Sequence, residues 1–138
     1  MRRIFAVVCT AAMAFVAGCG SDGPTLPTQA SVAGTWNLTT VNGATLPFTL
    51  QAANPKTEVL SDQLVVAANG TFTESTQLRY TSGTTVTTET VPDGGTYTLS
   101  GRSATLNFAD GTVTVGSIVG TTFTVFASSS ISLVYEQQ

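Results

Sequence analysis

Histidine is absent from the sequence. Its absence removes Ser-His-Asp and Cys-His catalysis in their usual forms, and the common zinc and copper sites. Cysteine is nearly absent, with only Cys9 and Cys19 near the start of the chain. Everything beyond them has no thiol, no possible disulfide and no paired cysteines for haem attachment. Both methionines, Met1 and Met13, lie in the same opening stretch, which excludes a Met-rich copper site. Charge is scarce, with five Lys+Arg against eight Asp+Glu in 138 residues. Beyond Cys19 the cations are Lys56, Arg79 and Arg102, and they are scattered. So few cations on an acidic chain cannot neutralise a phosphate backbone, so no nucleic acid is expected as a partner. No apolar run reaches the ~20 residues that a bilayer-spanning helix takes. No enzyme activity, metal or cofactor is expected.

What is there begins with Arg2 and Arg3, then an apolar run over 4–16, then Val16-Ala17-Gly18-Cys19. A basic start, a short apolar segment and small residues at a cut site predict a secretory signal peptide over 1–18. The small pair before Cys19 resembles the lipobox of bacterial lipoproteins. That resemblance implies a diacylglycerol on the Cys19 thiol, cleavage before Cys19 and acylation (palmitate or a similar chain) of the new N-terminus. The expected location is the cell envelope, lipid-anchored, at the outer membrane facing the periplasm, since Gly20 rather than Asp follows Cys19. Membrane lipid is then the first partner, held through the acyl chains on Cys19.

Residues 19–30 read as the lipidated cysteine and a flexible linker, and 20–30 are Gly-, Ser-, Pro- and Thr-rich with little to bury. A disordered linker of that length reaches about 35 Å at ~3.3 Å per residue. From 31 to 138 the chain turns rich in Thr, Val, Phe and Tyr, which suit pleated strands. Asn42-Gly43, Asn69-Gly70, Ser82-Gly83, Asp93-Gly94, Ser100-Gly101 and Asp110-Gly111 punctuate it as turn signals. The spacing predicts eight to ten strands, at 32–41, 45–51, 62–68, 71–81, 84–91, 95–100, 103–109, 112–118, 121–127 and 131–136. Residues 51–61, with Asn54-Pro55, read as a loop or a short helical turn.

Alternation assigns the faces. Trp36 and Leu38 share one side, as do Phe72, Leu78 and Tyr80, then Tyr97 and Leu99, then Ala104, Leu106 and Phe108. Val113 and Val115 alternate with Thr112 and Thr114, and Phe123 and Val125 with Thr122 and Thr124. Ile131, Leu133 and Tyr135 close the chain. An apolar face backed by a Thr-rich face predicts an all-β, antiparallel up-and-down meander that closes into a small barrel, with a β-sandwich as the alternative. The interior set is Trp36, Phe72, Tyr80, Tyr97, Phe108 and Phe123, which plug the barrel or touch a ligand. Tyr80, Tyr97 and Tyr135 are expected to keep their hydroxyls wet. Glu74 shares the parity of Phe72, which makes it an inward carboxylate unless a bulge or strand end returns it to solvent. Arg79 and Arg102 are the candidates to stack on Trp36 or to pair with Glu74.

Gly34-Thr35-Trp36 on the first strand resembles the Gly-x-Trp signature of the lipocalins and the wider calycin group. The run Gly34-Thr35-Trp36-Asn37-Leu38-Thr39-Thr40-Val41-Asn42-Gly43-Ala44-Thr45-Leu46-Pro47 looks like small bacterial lipocalin-like lipoproteins. Asn69-Gly70-Thr71-Phe72 and Gly95-Thr96-Tyr97-Thr98-Leu99-Ser100-Gly101 fit the same group. The resemblance implies a lipocalin-like barrel with Trp36 plugging one end. Two lipocalin features are missing: a late Arg in 131–136, and a long helix before the last strand. The expected function is a lipid-anchored binding module for an apolar or amphipathic ligand. The alternative is a structural or interaction lipoprotein whose filled barrel meets another envelope protein.

Overall fold

A computed structural model describes residues 25–138. The expected signal peptide over 1–18 and Cys19 lie outside the described residues. One helical turn, α1 (Gln29–Val32), precedes ten strands: β1 (Gly34–Val41), β2 (Ala44–Thr45), β3 (Phe48–Gln51), β4 (Lys56–Val66), β5 (Thr71–Ser82), β6 (Thr85–Ser100), β7 (Ser103–Phe108), β8 (Val113–Val119), β9 (Thr122–Ser128) and β10 (Ile131–Gln137). Neighbours in sequence pair antiparallel from β3 through to β10, and β10 pairs with β1. The ring closes where β1 also pairs with β4, from Gly34↔Val66 to Asn37↔Gln63. The result is a closed antiparallel barrel of β1 and β4 to β10, not a sandwich. The β1–β4 pairing joins the two sides of the meander into a ring, as predicted. The edges that remain are the short β2 and β3 and the part of β6 beyond the rim.

Four expectations about the strands need correction. The predicted strand at 45–51 is two short pieces, β2 and β3, flanking Leu46 and Pro47. The predicted loop at 51–61 is strand from Lys56 onward, paired with β5 as far as Lys56↔Thr81. The predicted strands at 84–91 and 95–100 are one continuous β6. Asp93-Gly94 is therefore no turn; it runs straight alongside Glu74 and Thr73 of β5. Glycine is needed there for close approach. A Cβ on Gly94 would lie 2.7 Å from the Phe72 carbonyl oxygen, and one on Gly95 would lie 2.0 Å from that of Asn107. Asn42-Gly43 does turn, with φ of 51° and 77°, the left-handed pair a tight hairpin needs.

The fourth correction is the face of β8. Val113 and Val115 are 59% and 47% exposed, and Thr114, Gly116 and Ile118 point inward. Gly116 explains the choice. A Cβ there would meet the Phe123 ring at 2.6 Å, so the bare backbone makes room for the phenyl group.

The core divides by height. At one end Trp36, 1% exposed, sits under α1. Thr28 caps that turn in a reciprocal pair with Ser31, and the Val32 carbonyl accepts the Trp36 indole N–H at 2.8 Å. The expected disordered linker over 20–30 thus ends sooner, because burying Val32 and bonding the indole both need an ordered turn from Gln29. Phe123 meets Trp36 edge-on at 5.9 Å, and Phe72 meets Phe108 edge-on at 5.1 Å. These are the favoured aromatic geometries.

Candidate functional site at the barrel mouth

The end opposite Trp36 is built differently. β7 pairs with β6 only from Gly95 onward, and the Ala109 N–H donates to the Gly94 carbonyl. Residues 85–93 of β6 run past the barrel rim, paired with β5 alone. With the upper parts of β4 and β5 they form a ribbon that stands over one side of the mouth. Strand register assigns its inner face. Asp62 pairs with Thr76, Leu64 with Glu74, and Val59 with Leu78. On β6, Asp93 lies opposite Glu74 and Glu89 opposite Leu78.

Below the ribbon a polar layer crosses the lumen. Tyr135 of β10 donates its hydroxyl proton to Asp62 Oδ2 at 3.1 Å, and Thr76 Oγ1 donates to the same oxygen at 3.3 Å. Asp62 is only 7% exposed, and its other oxygen, Oδ1, is buried without a hydrogen-bond partner. Glu74 is half-buried beside it and is pushed up to about 8, first by burial and then by the Asp62 charge, with Asp93 adding to it. Burial also raises Asp62, against hydrogen bonds from Glu74, Tyr135 and Thr76 that favour its charged form. Tyr135, buried and facing both acids, is held in its neutral form, so it acts only as a donor. Two adjacent carboxyls in a dry site cannot both ionise cheaply, so they share one proton.

Beneath this layer the barrel is filled. The space among Val32, Trp36, Tyr97, Ala104, Leu106 and Phe123 amounts to ≈ 10 Å³. It is lined by apolar side chains and is barely the size of one water, so it is dry. Ligand pockets of drug size run to about 300–1,000 Å³. A hollow of ≈ 230 Å³ does lie at the mouth end, between Asn42, Phe126 and 128–132.

The predicted site residues fall into two groups. Trp36, Phe72, Tyr97 and Phe123 are buried in the packed half, and Phe108 is half-buried against Phe72. Tyr80 stands apart, half-exposed on the inner face of the ribbon opposite Thr57. Glu74 faces inward in an unbroken stretch of β5, with no bulge to return it to solvent. The wet-hydroxyl expectation needs correction for two tyrosines. Tyr135 bonds Asp62 inside the barrel, and Tyr97 donates to the Ala67 carbonyl at 2.8 Å, because each hydroxyl is carried to a strand edge or acid by the closure of the ring. Arg79 does not reach Glu74. It lies on the outer face and, with Lys56, clamps Glu58 at 2.8 Å, holding that carboxyl below its usual range.

Asp62 and Thr76 are the residues of this layer that the sequence does not single out, and Tyr135 is expected there only as a core residue with a wet hydroxyl. The signal was present: Asp62 has the parity of Leu64 and Val66, an acid in an inward series. Among the described residues no group of three His, Cys, Asp or Glu side chains has metal-binding geometry.

Residues 32–126 match the family model described as a lipocalin-like domain. Comparison with curated proteins and with solved structures finds no match.

Proposed function

The chain belongs to the lipocalin-like domain family, and from that premise we propose that it is a lipid-anchored binding module of the bacterial envelope, taking its ligand at the barrel mouth. The observation that carries this reading is the division of the lumen. The Trp36 half is packed to a residual ≈ 10 Å³, so a ligand has no room beneath the Asp62–Tyr135 layer. Above it, Leu78 and Tyr80, both half-buried on the inner face of the ribbon, offer apolar surface next to buried and half-buried acids. Apolar walls with a few convergent polar groups suit an amphipathic molecule.

A fluorescent long-chain alcohol, which carries no charge, tests this reading. Saturable one-to-one binding is expected. Leu78→Trp should weaken it tenfold or more, and Ala104→Val, in the packed half, should leave it unchanged. Loss of binding in the Ala104 variant would mean an open interior. No saturable binding at all would favour the alternative of a filled barrel serving as an interaction module. The outer stripe of Val113, Val115 and Phe126, each largely exposed, would then be its contact surface.

Anchoring is a separate part of the proposal and rests on the lipobox resemblance at Cys19. Acyl chains give ~0.8 kcal/mol per buried CH₂, and two or more make attachment stable. Cys19→Ala is expected to abolish lipidation and leave an uncleaved or soluble product, read by membrane fractionation and mass spectrometry. A variant processed and membrane-bound like the parent would refute lipidation. Recovery of the parent in inner-membrane fractions alone would refute the outer-membrane assignment.

A further inference from the structure

We infer that the mouth binds an organic cation, with its protonated amine head between Asp62 and Glu74 and its apolar body along Leu78 and Tyr80. The inference rests on the mouth-binding reading and names the head group which that reading leaves open.

Charge asymmetry is the first observation. Asp62 and Glu74 face the lumen by register, and Asp93 and Glu89, both exposed, stand on the inner face of the ribbon above them, opposite Glu74 and Leu78. The three cations among the described residues are elsewhere. Lys56 and Arg79 are outside, on Glu58. Arg102 lies in the turn between β6 and β7 at the Trp36 end. β10 contributes Tyr135, and β1, β7, β8 and β9 bring no titratable side chain to the interior. The acids of the mouth therefore have no internal counter-charge among the described residues.

Asp62 supplies the second, independent observation. More than nine-tenths of it is buried, and Oδ1 has no donor. A buried acceptor without a partner is rare in folded proteins and destabilising. In the free protein the Tyr135 and Thr76 hydroxyls both donate to Oδ2, and a proton shared with Glu74 joins the two acids. A primary ammonium would bring three N–H donors and a full positive charge to the same place. The exchange balances: an ammonium ion enters, the acid–carboxylate pair becomes two carboxylates, and one proton leaves to solvent. No covalent bond changes. A fatty-acid head would instead meet four acids of its own sign.

The test is calorimetric titration of the intact protein with hexylammonium, hexanoate and hexanol, which share one chain and differ in head. Hexylammonium should bind one-to-one and saturably, with hexanoate at least tenfold weaker. At pH 7, titration in two buffers of different ionisation enthalpy should count close to one proton released per hexylammonium. That release should vanish above pH 9, where the pair is already ionised. Asp62→Asn and Glu74→Gln should each weaken hexylammonium at least tenfold more than they weaken hexanol. Should Asp62→Asn fail to fold, Glu89→Gln, at an exposed position, is expected to weaken hexylammonium about two- to threefold. Equal binding of hexylammonium and hexanoate would overturn the inference and leave mouth binding standing, as would binding without proton release. No saturable binding by any of the three would overturn both.

Discussion

Replacing Trp36 with alanine is expected to remove about 3–5 kcal/mol of stability, a large share of what a single small domain has. The ring is 1% exposed and meets Phe123 edge-on. It also holds the N-terminal turn, through the indole N–H on the Val32 carbonyl. Truncation would enlarge the ≈ 10 Å³ void by most of the volume of an indole, and it would free the Val32 carbonyl of its donor. The β-barrel around it cannot collapse far, because β1 is paired on both sides, to β4 and to β10. Trp36→Phe is expected to recover part of the loss, restoring packing but not the hydrogen bond. Chemical denaturation of the three proteins side by side reads the effect. An alanine variant with an unchanged midpoint would contradict a buried plug.

The second large effect is a loss of stability on the alkaline side. Unfolded, Glu74 gives up its proton near 4.5; folded, it keeps it until about 8. Between those values the folded protein binds more protons than the unfolded chain, so stability falls as pH rises. A full proton would give about 1.4 kcal/mol per pH unit, and solvent reaching half-buried Glu74 reduces that slope. Above about pH 8 both states are ionised and the curve levels off. Glu58 works in the opposite direction. Its hydrogen bonds to Lys56 and Arg79 lower its pKa, so its contribution is present above its ordinary value and is lost as pH falls through the folded one. The stability maximum is therefore expected near the ordinary carboxylate range, at mildly acid pH. Glu74→Gln should flatten the descent from pH 5 to 8 and make the variant more stable than the parent at pH 8. Melting temperatures at four or five pH values suffice, and a flat parent profile would place Glu74 in solvent.

Much of the fold was legible because its signals are local. A period of two in Trp36, Leu38, then Phe72, Leu78 and then Ala104, Leu106, Phe108 needs only the pleat, and it found strands and faces. Asn42-Gly43 needs only its own backbone to turn. The lipocalin-like signature around Trp36 also sits in one short run, and it gave the closed barrel. Asp93-Gly94 carries the same local signal as a turn, yet it runs straight because β5 continues beside it for its whole length. The valines of β8 alternate as core residues do, yet they face out. Only the neighbouring strand could decide that, since the Phe123 ring needs the space over Gly116.

The sequence by itself determined the all-β meander, the inward parity of Glu74 and the short list of chemistries that a chain without histidine can perform. The tertiary structure decided what the interior is for. Asp62, Glu74 and Tyr135 are far apart along the chain, and only register between β4 and β5 and closure through β1 and β10 set them in one layer. Whether a lumen is open is likewise a property of the closed ring, because it depends on how the side chains of eight strands share one small volume.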